Sequence, residues 1–310
     1  MKTVLTDRPL FINGKPKDID IKIINIKSLK SYDGNTDVLA VCGSRAMASS
    51  CANLTLPSLK LFQLTSAGFD GVPLEIYAQK NIAIANAGNV YSAPIAETVV
   101  LGMLQIAKKL HKNPNNRRFK LTRGYKEITE LQEKNVLIMG AGNIGTAVAN
   151  RLAGFDMNID GYDPFCQDKP PYKTIIRTQE ALTENLSTYD FVVSTLPDNP
   201  ETRGFINSEL LGAMKNTAVI INVGRKAVFN DKDFYNALKK KQLGGAVLDI
   251  FEKLPNPITN KFRRLKNTVI LPGVAAISKE VTPRLNEHIE KNIRALLSDQ
   301  ELSNVINGVK

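Results

Sequence analysis

The sequence Gly140-Ala141-Gly142-Asn143-Ile144-Gly145 places three glycines between an apolar run and a helical pattern. The preceding run, residues 135–139, reads Asn-Val-Leu-Ile-Met and predicts a buried strand. After such a strand, the first glycine permits a tight turn and the second lets a pyrophosphate approach the backbone. The third lets the helix pack closely on the strand, and the helix N-terminus faces the phosphates. The stretch therefore predicts a Rossmann-type dinucleotide site made of Gly140, Gly142, Asn143, Ile144 and Gly145.

An acidic residue ends the next predicted strand. Asp163 follows the turn by roughly 20 residues, the separation expected for the acceptor of the adenosine ribose hydroxyls. Its negative charge would repel a 2′-phosphate, so the predicted cofactor is NAD rather than NADP. The competing interpretation is an ordinary turn aspartate before Pro164. The glycine-rich turn upstream favours the ribose role.

Short apolar runs alternate with helical segments along most of the chain. This alternation predicts parallel sheets with helices on both faces. The predicted strands are 22–26, 38–41, 61–64, 82–85, 135–139, 158–162, 191–195, 218–223, 245–250 and 268–271. Apolar residues at helical spacing predict a long helix over 93–112 and a final helix over 284–297. We expect the final helix to pack back on the N-terminal part of the chain.

The composition is that of a globular protein. The 310 residues are enough for two domains, and no apolar run reaches the roughly 18 residues of a membrane span. The N-terminus meets Asp7 too early for a signal peptide, so we predict a cytoplasmic location. The cysteines Cys42, Cys51 and Cys166 have no metal-ligand spacing with the two histidines, so free thiols and no metal site are expected.

The chain is strongly basic. Its net charge is +11, with basic runs at 239–241 and 261–266. Binding of nucleic acid is one interpretation, but neither run carries a nucleic-acid-binding motif. We favour solvated basic faces and a positive field that attracts small anions.

Further motifs follow one another in a fixed order. They are Thr65-Ser66-Ala67-Gly68-Phe69-Asp70, Asn86-Ala87-Gly88-Asn89-Val90, Leu196-Pro197-Asp198-Asn199-Pro200-Glu201-Thr202-Arg203-Gly204, Asn222-Val223-Gly224-Arg225 and Leu248-Asp249-Ile250-Phe251-Glu252. Together with the glycine-rich turn, they resemble the D-isomer-specific 2-hydroxyacid dehydrogenase family. The resemblance extends over nearly the whole chain.

The resemblance implies a fold, a domain arrangement and a reaction. The fold class is α/β, with two Rossmann/flavodoxin-like parallel-sheet domains and an interdomain cleft. Residues 1–95 and 284–310 would form the substrate-binding domain, and 96–283 the inserted NAD-binding domain. The implied reaction is hydride transfer between NAD(H) and a 2-oxo or 2-hydroxy acid, in a homodimer.

The resemblance also assigns site residues. Arg225 matches the substrate-binding arginine, whose guanidinium can fork onto a carboxylate and a keto oxygen, and is the predicted catalytic residue. The competing interpretation of Arg225 is a surface arginine after a strand, without a functional role. The backbone amides near Ala67 and Gly68 would hold the other side of the carboxylate. The remaining cofactor residues implied by the motifs are Pro197, Thr202, Val223 and Asp249.

The acid/base pair of the family is absent from the matching positions. The glutamate of the pattern Leu-Asp-x-Phe-x-x-Glu-Pro is replaced by Leu254, and the histidine after the next strand is replaced by Gly273. The histidines of this chain, His111 and His288, stand elsewhere in the sequence. Acid/base catalysis contributes roughly 10²–10⁴-fold, so its loss would raise the barrier by about 3–5 kcal/mol.

Two functions therefore stay open. The first is an NAD-dependent dehydrogenase with a non-standard proton donor, for which Lys279, Tyr91, Lys253, Glu252 or a water beside Gly273 are candidates. The alternative is a catalytically impaired NAD(H)-binding pseudoenzyme that acts as a sensor or regulatory partner. The intact substrate-binding motifs favour the dehydrogenase. The loss of both members of the pair favours the pseudoenzyme.

Overall fold

The computed structural model describes residues 2–11, 14–110, 128–249, 261–271 and 273–309. They divide into two compact units, Met1–Tyr91 with Ser278–Lys310, and Ser92–Ile277. The domain boundaries after residues 95 and 283 stay a prediction; they lie a few residues from the limits of these units, inside the helices Ser92–Ala107 and Val281–Leu297. The predictions that concern His111, Glu252, Lys253 and Leu254 lie outside the described residues.

The helices and strands alternate along the chain, as the apolar runs predict. The strands are β1 (Lys2–Thr6), β2 (Ile19–Ile23), β3 (Val38–Gly43), β4 (Leu61–Leu64), β5 (Ala83–Ala85), β6 (Asn135–Met139), β7 (Asn158–Tyr162), β8 (Thr174–Ile176), β9 (Phe191–Ser194), β10 (Val219–Asn222), β11 (Gly245–Leu248) and β12 (Thr268–Ile270). The α-helices are α1 (Arg45–Cys51), α2 (Leu74–Gln79), α3 (Ser92–Ala107), α4 (Asn143–Ala153), α5 (Gln179–Asn185), α6 (Ser208–Ala213), α7 (Asp231–Lys239) and α8 (Val281–Leu297).

The first unit contains a five-stranded parallel sheet in the order β2-β1-β3-β4-β5. Strand β1 was not predicted, and the strand predicted at 22–26 lies instead at Ile19–Ile23. That segment, Ile-Asp-Ile-Lys-Ile, alternates apolar and charged residues, which suits an edge strand with one covered face. Ile19 is fully buried while Ile23 is 63% exposed, so the apolar content after Ile23 misled the prediction.

Helix α8 packs on this first sheet, which confirms the prediction for the final helix. Leu285, Ile289 and Ile293 recur at helical spacing and join a buried cluster with Val4. The helix begins at Val281 rather than at residue 284. Pro283 permits this earlier start, because the first helical turn has no N–H partner for a proline to lose.

The second unit contains a seven-stranded parallel sheet in the order β12-β11-β10-β9-β6-β7-β8. The predicted strands of this unit are confirmed with small differences at their ends, and only the three-residue β8 was missed. Helix α3 ends at Ala107, before the predicted end at 112. The chain runs outward from β6 to β8 and then returns to β9 on the other side of β6. Such a reversal opens a crevice at the carboxyl ends of the strands, where α/β proteins bind ligands.

Candidate cofactor and substrate sites

The glycine-rich turn lies at this point of strand reversal. It follows β6, and the loop that begins at Thr195 follows β9, the neighbour of β6. The Thr195 hydroxyl donates to the Gly140 carbonyl at 2.9 Å, and the Gly140 amide donates to the Tyr162 carbonyl at 2.8 Å. The turn is thus fixed by both strands that flank β6.

The three glycines of the turn are required for different reasons. Gly140 has a φ of +97°, a conformation that side chains disfavour. A Cβ on Gly145 would lie 1.9 Å from the Gly140 carbonyl oxygen, so the helix could not pack there. Gly142 has an ordinary φ of −71°, and a Cβ there would meet nothing within 4 Å. Neither backbone nor packing requires this glycine, whereas a ligand that approaches the backbone would.

Helix α4 begins at this open position. Gly142 is its N-cap, no side chain caps the first turn, and the first turn contains no acidic residue. The unpaired N–H groups and positive end of the helix can therefore face an anion. Together with the space in front of Gly142, the residues present fit the pyrophosphate of a dinucleotide.

Asp163 is bonded directly to the glycine-rich turn. Its Oδ2 accepts from the Ala141 amide and its Oδ1 from the Phe165 amide, both at 3.0 Å. The Phe165 contact is that of an ordinary aspartate turn, the competing interpretation of this residue. The Ala141 contact is additional and sets the carboxylate beside the turn. Each oxygen retains lone-pair capacity for a hydroxyl group.

Lys169 is a member of this region that the sequence analysis missed. Its ammonium donates to the Ala141 carbonyl at 2.8 Å, so one peptide group of the turn contacts both an acidic and a basic side chain. Lys169 lies six positions after Asp163 and belongs to none of the motifs quoted above, so no sequence pattern selects it. Its contact depends on the path of the chain between β7 and β8.

The loop after β9 holds Pro197 and Thr202. The Thr202 hydroxyl donates to the Pro197 carbonyl at 2.7 Å, and the Thr202 amide donates to Asn199 Oδ1 at 2.9 Å. The Arg203 guanidinium pairs with Asp198 at 2.6 Å. These internal bonds give the loop a defined shape at the carboxyl end of β9.

Val223 and Arg225 follow the neighbouring strand, β10. The amides of Val223 and Gly224 both donate to the Ser194 carbonyl, at 3.2 and 3.0 Å. A Cβ on Gly224 would lie 2.8 Å from the Leu196 carbonyl oxygen, so only glycine allows this close approach to the β9 loop. The structure thus gathers Val223, Arg225 and the β9 loop at one edge of the sheet.

Asp249 directly follows β11 and is almost fully buried. Its Oδ1 accepts from the amides of Val274 and Ala275, at 2.9 and 3.2 Å, and its carbonyl accepts from the Gly273 amide. Burial raises the pKa of the Asp249 carboxyl, although these amides act in the opposite direction. Asp249 therefore anchors the segment that begins at Gly273, a role that the sequence analysis missed.

Gly273, which the sequence analysis predicts at the position of the family's histidine, has a φ of +71°. This left-handed conformation costs an ordinary residue roughly 1–2 kcal/mol. A histidine at this position would have to bear that strain or change the local backbone. The position is thus adapted to glycine and not merely lacking a side chain.

Ala67 and Gly68 lie in the first unit, in the loop after β4. The carbonyls of this loop are bonded: Ala67 accepts from Asn86 Nδ2 at 2.9 Å, and Gly68 accepts from the Ser66 hydroxyl at 2.7 Å. The amides of Ala67 and Gly68 donate to no group among the residues that the structure describes. Two such amides are suited to a carboxylate.

His288 supports the same loop through Asn86. Its ring Nε2 lies 2.9 Å from the Asn86 carbonyl, to which a protonated nitrogen donates. Burial lowers the pKa of the His288 imidazole, so the neutral ring is favoured. Asn86 in turn holds the Ala67 carbonyl. His288 therefore positions this loop through Asn86.

Two of the candidate proton donors are described. The Tyr91 hydroxyl donates to the Thr65 carbonyl at 2.5 Å, and burial raises the pKa of this phenol. The Lys279 side chain is 94% exposed, and its ammonium lies 3.9 Å from Glu280. The Tyr91 proton is thus engaged in a hydrogen bond and is released less readily than that of a free phenol. The Lys279 ammonium is surrounded by solvent.

Two other kinds of feature, metal sites and membrane-spanning helices, are not found among the described residues. Among the residues that the structure describes, no group of three or more His, Cys, Asp or Glu could hold a metal ion. In the same residues, no helix is long and apolar enough to cross a membrane.

Comparisons with known proteins identify relatives. The model of the D-isomer specific 2-hydroxyacid dehydrogenase NAD-binding domain matches residues 98–275, more than half of the chain. A glyoxylate reductase from Thermofilum pendens is 30% identical over 264 residues, 81% of this chain and 76% of that protein. A D-3-phosphoglycerate dehydrogenase from Methanocaldococcus jannaschii is 29% identical over 250 residues. That match covers 80% of this chain but 48% of the relative, so the chain spans about half of its length.

A solved structure has the same fold. The NADPH-dependent glyoxylate/hydroxypyruvate reductase of Sinorhizobium meliloti, in complex with NADP and malonate, superposes with a TM-score of 0.76. It is 21% identical, and the superposition covers 99% of this chain and 97% of that one. The likeness establishes two parallel-sheet α/β domains of this type, as the sequence predicts.

Proposed function

Because the chain belongs to the D-isomer-specific 2-hydroxyacid dehydrogenase family, we propose that it transfers a hydride between NAD(H) and a small 2-oxo or 2-hydroxy acid. The observation that carries this proposal is the open space at Gly142, beside an uncapped helix N-terminus and a carboxylate. A dinucleotide needs all three features: close backbone approach, N–H donors for its phosphates and an acceptor for its ribose. The bound nicotinamide supplies or accepts the hydride.

The cofactor form follows from Asp163. The Asp163 carboxylate accepts a hydrogen bond from the Ala141 amide. In this position the carboxylate would accept a hydrogen bond from a ribose hydroxyl, and its negative charge would repel a 2′-phosphate. The ammonium of Lys169 on the same peptide group reduces this repulsion. We therefore propose a preference for NAD that is weaker than the carboxylate alone would give.

The substrate is recognised through its carboxylate. In the first unit, the unpaired amides of Ala67 and Gly68 supply two donors suited to a carboxylate. In the second unit, the guanidinium of Arg225, whose Nη1 donates to the Gly224 carbonyl at 3.2 Å, is the proposed group for the carboxylate and keto oxygens. In the reduction, Arg225 also stabilises negative charge that develops on the keto oxygen. These groups recognise the carboxylate and keto groups that all 2-oxo acids share, and they do not select the substituent on the keto carbon.

The proton comes from water. Gly273 offers no side chain. Of the two candidate side chains that the structure describes, Tyr91 is bonded to the Thr65 carbonyl with a raised pKa, and Lys279 is solvated. The other candidates, Lys253 and Glu252, lie outside the described residues. A water molecule beside Gly273 needs no additional residue. Without a positioned acid, we expect turnover roughly 10²–10⁴-fold below that of an enzyme with the pair.

A second candidate function is an NAD(H)-binding pseudoenzyme that serves as a sensor or regulatory partner. The left-handed backbone at Gly273 favours it, because that conformation is adapted to the absence of the histidine. In either case we propose a cytoplasmic homodimer, which size-exclusion chromatography with light scattering would test.

The two functions differ in turnover and not in cofactor binding. NADH affinity is measured by fluorescence titration, and NADH oxidation is followed with glyoxylate, pyruvate, branched 2-oxo acids and 3-phosphohydroxypyruvate. Turnover with at least one of these acids supports the dehydrogenase. Tight NADH binding without turnover on any of them supports the pseudoenzyme, and absence of NADH binding contradicts both.

A further inference from the structure

The two basic runs of the sequence meet at one cavity of the second unit, at the edge of the sheet opposite to the cofactor site. The cavity has a volume of about 860 Å³ and includes Gly244, which precedes β11, and Asn267, which precedes β12. In a parallel sheet all amino ends lie at one edge, whereas the glycine-rich turn lies at the carboxyl end of β6. The two sites are therefore separate.

Five cationic side chains line this cavity. They are Lys109, Lys239, Lys241, Arg264 and Lys266, and the lining contains no acidic residue. Within the described parts of the chain, none of the five has a carboxylate within ion-pair distance. By contrast, the nearby Lys261 is neutralised by Asp231 at 2.5 Å.

Ordinary helix-end electrostatics explain only part of this cluster. Basic residues are favourable at helix C-termini, which accounts for Lys109 after α3 and for Lys239 and Lys241 at the end of α7. Arg264 ends a short 3-10 helix, and Lys266 lies in the turn after it, just before β12. Their convergence on the same cavity adds charge that the helix ends do not need.

The backbone is left-handed at two of the five lining cations. Lys109 and Lys241 have φ values of +58° and +57°, in the left-handed region. Helices commonly end in this conformation with glycine or asparagine, which adopt it at little cost. Lysine adopts this conformation at a cost, as six other non-glycine residues of the described chain also do.

We propose that this cavity binds a small polyphosphorylated molecule, one that carries at least two linked phosphoryl groups. Its volume lies within the range of small-molecule sites, about 300–1,000 Å³. Leu243 and Leu265 give it an apolar part beside the cations. Among the described residues no aromatic side chain lines it, and aromatic side chains are the stacking surface that single-stranded nucleic acids use.

The test uses a matched pair of double variants. Lys241→Asn with Arg264→Gln removes two lining charges, and asparagine tolerates the left-handed backbone of residue 241. Lys240→Asn with Arg263→Gln removes two charges from the adjacent positions, which are exposed but do not line the cavity. The two variants have the same net charge and nearly the same sequence.

The measurement is calorimetric titration of tripolyphosphate into the full-length protein saturated with NADH, which keeps the probe out of the cofactor site. We expect binding that the lining variant weakens about tenfold or more, because charged hydrogen bonds to phosphate are lost. The adjacent variant should change affinity less than about twofold. Thermal melting establishes that both variants are folded, and the single variant Lys266→Gln provides a third measurement if either is not.

Three results would overturn the proposal. One is absence of tripolyphosphate binding to the unmodified protein. Another is equal weakening by both double variants, which would assign the effect to net charge. The last is binding of a 20-nucleotide single strand without binding of tripolyphosphate, which would indicate that the cavity is part of a nucleic-acid-binding surface.

Discussion

Replacement of Gly142 by alanine should separate cofactor binding from folding. The residue has a φ of −71° and open space where a Cβ would lie, so alanine strains nothing. Because alanine restricts the unfolded chain, the free energy of unfolding should stay equal or rise by about 0.4–1 kcal/mol. In contrast, the added methyl group occupies the space through which a pyrophosphate reaches the backbone.

The loss of NADH affinity expected for Gly142→Ala follows from the backbone–phosphate hydrogen bonds that the methyl group would prevent. A hydrogen bond to a charged group contributes about 1.5–3 kcal/mol. The loss of one backbone–phosphate bond at the start of α4 therefore weakens NADH binding about 10- to 150-fold. Fluorescence titration of NADH gives the affinity, and urea denaturation gives the free energy of unfolding.

Gly212 provides the matched control. It lies in helix α6 of the same unit, is exposed, and has nothing within 4 Å of a Cβ position. Gly212→Ala should stabilise the protein by about 0.5–1 kcal/mol and leave NADH affinity unchanged. Gly142→Ala with unchanged NADH affinity would refute the placement of the pyrophosphate, and so would equal losses in both variants.

Three further predictions concern other parts of the two units. Asp163→Asn keeps an acceptor for the Ala141 amide but removes the charge, so the preference for NAD over NADP should fall about tenfold in parallel titrations; an unchanged ratio would contradict the ribose role. The pKa of His288 is lowered in the folded protein, so the unfolded state takes up the proton first and stability should fall as the pH drops below about 6.5. His288→Gln should flatten that dependence in denaturation at pH 5 and pH 8, and an identical pH profile would exclude His288 as its source. Gly273→His combined with Leu254→Glu should raise turnover by roughly 10²–10⁴-fold, despite about 1–2 kcal/mol of strain at residue 273; unchanged kinetics of a folded double variant would indicate that more than the pair is missing.

Local features of the sequence were sufficient for the fold class and for the position of the glycine-rich turn between a strand and a helix. The spacing of Gly140, Gly142 and Gly145 between strand and helix signals requires only residues adjacent in the chain. Strand β2 was misplaced because the apolar residues around Ile24 outweighed the alternating pattern of Ile19–Ile23, which becomes decisive only when β1 pairs with it.

Features that depend on distant segments could not be predicted. Asp249 anchors the amides of Val274 and Ala275, and that contact exists only once β11 and β12 are neighbours. The basic runs at 239–241 and 261–266 were interpreted as solvated faces, because their convergence depends on tertiary structure. No pattern in the sequence encodes either arrangement.

The central claim is that the chain reduces a 2-oxo acid with NADH although Gly273 replaces the catalytic histidine. Steady-state oxidation of NADH with the panel of 2-oxo acids tests this claim most directly. From a typical turnover of about 10 s⁻¹, the expected loss gives about 0.001–0.1 s⁻¹ for the best acid. Arg225→Gln should abolish this turnover while NADH still binds. Tight NADH binding without turnover on any acid, or turnover unaffected by Arg225→Gln, would contradict the claim.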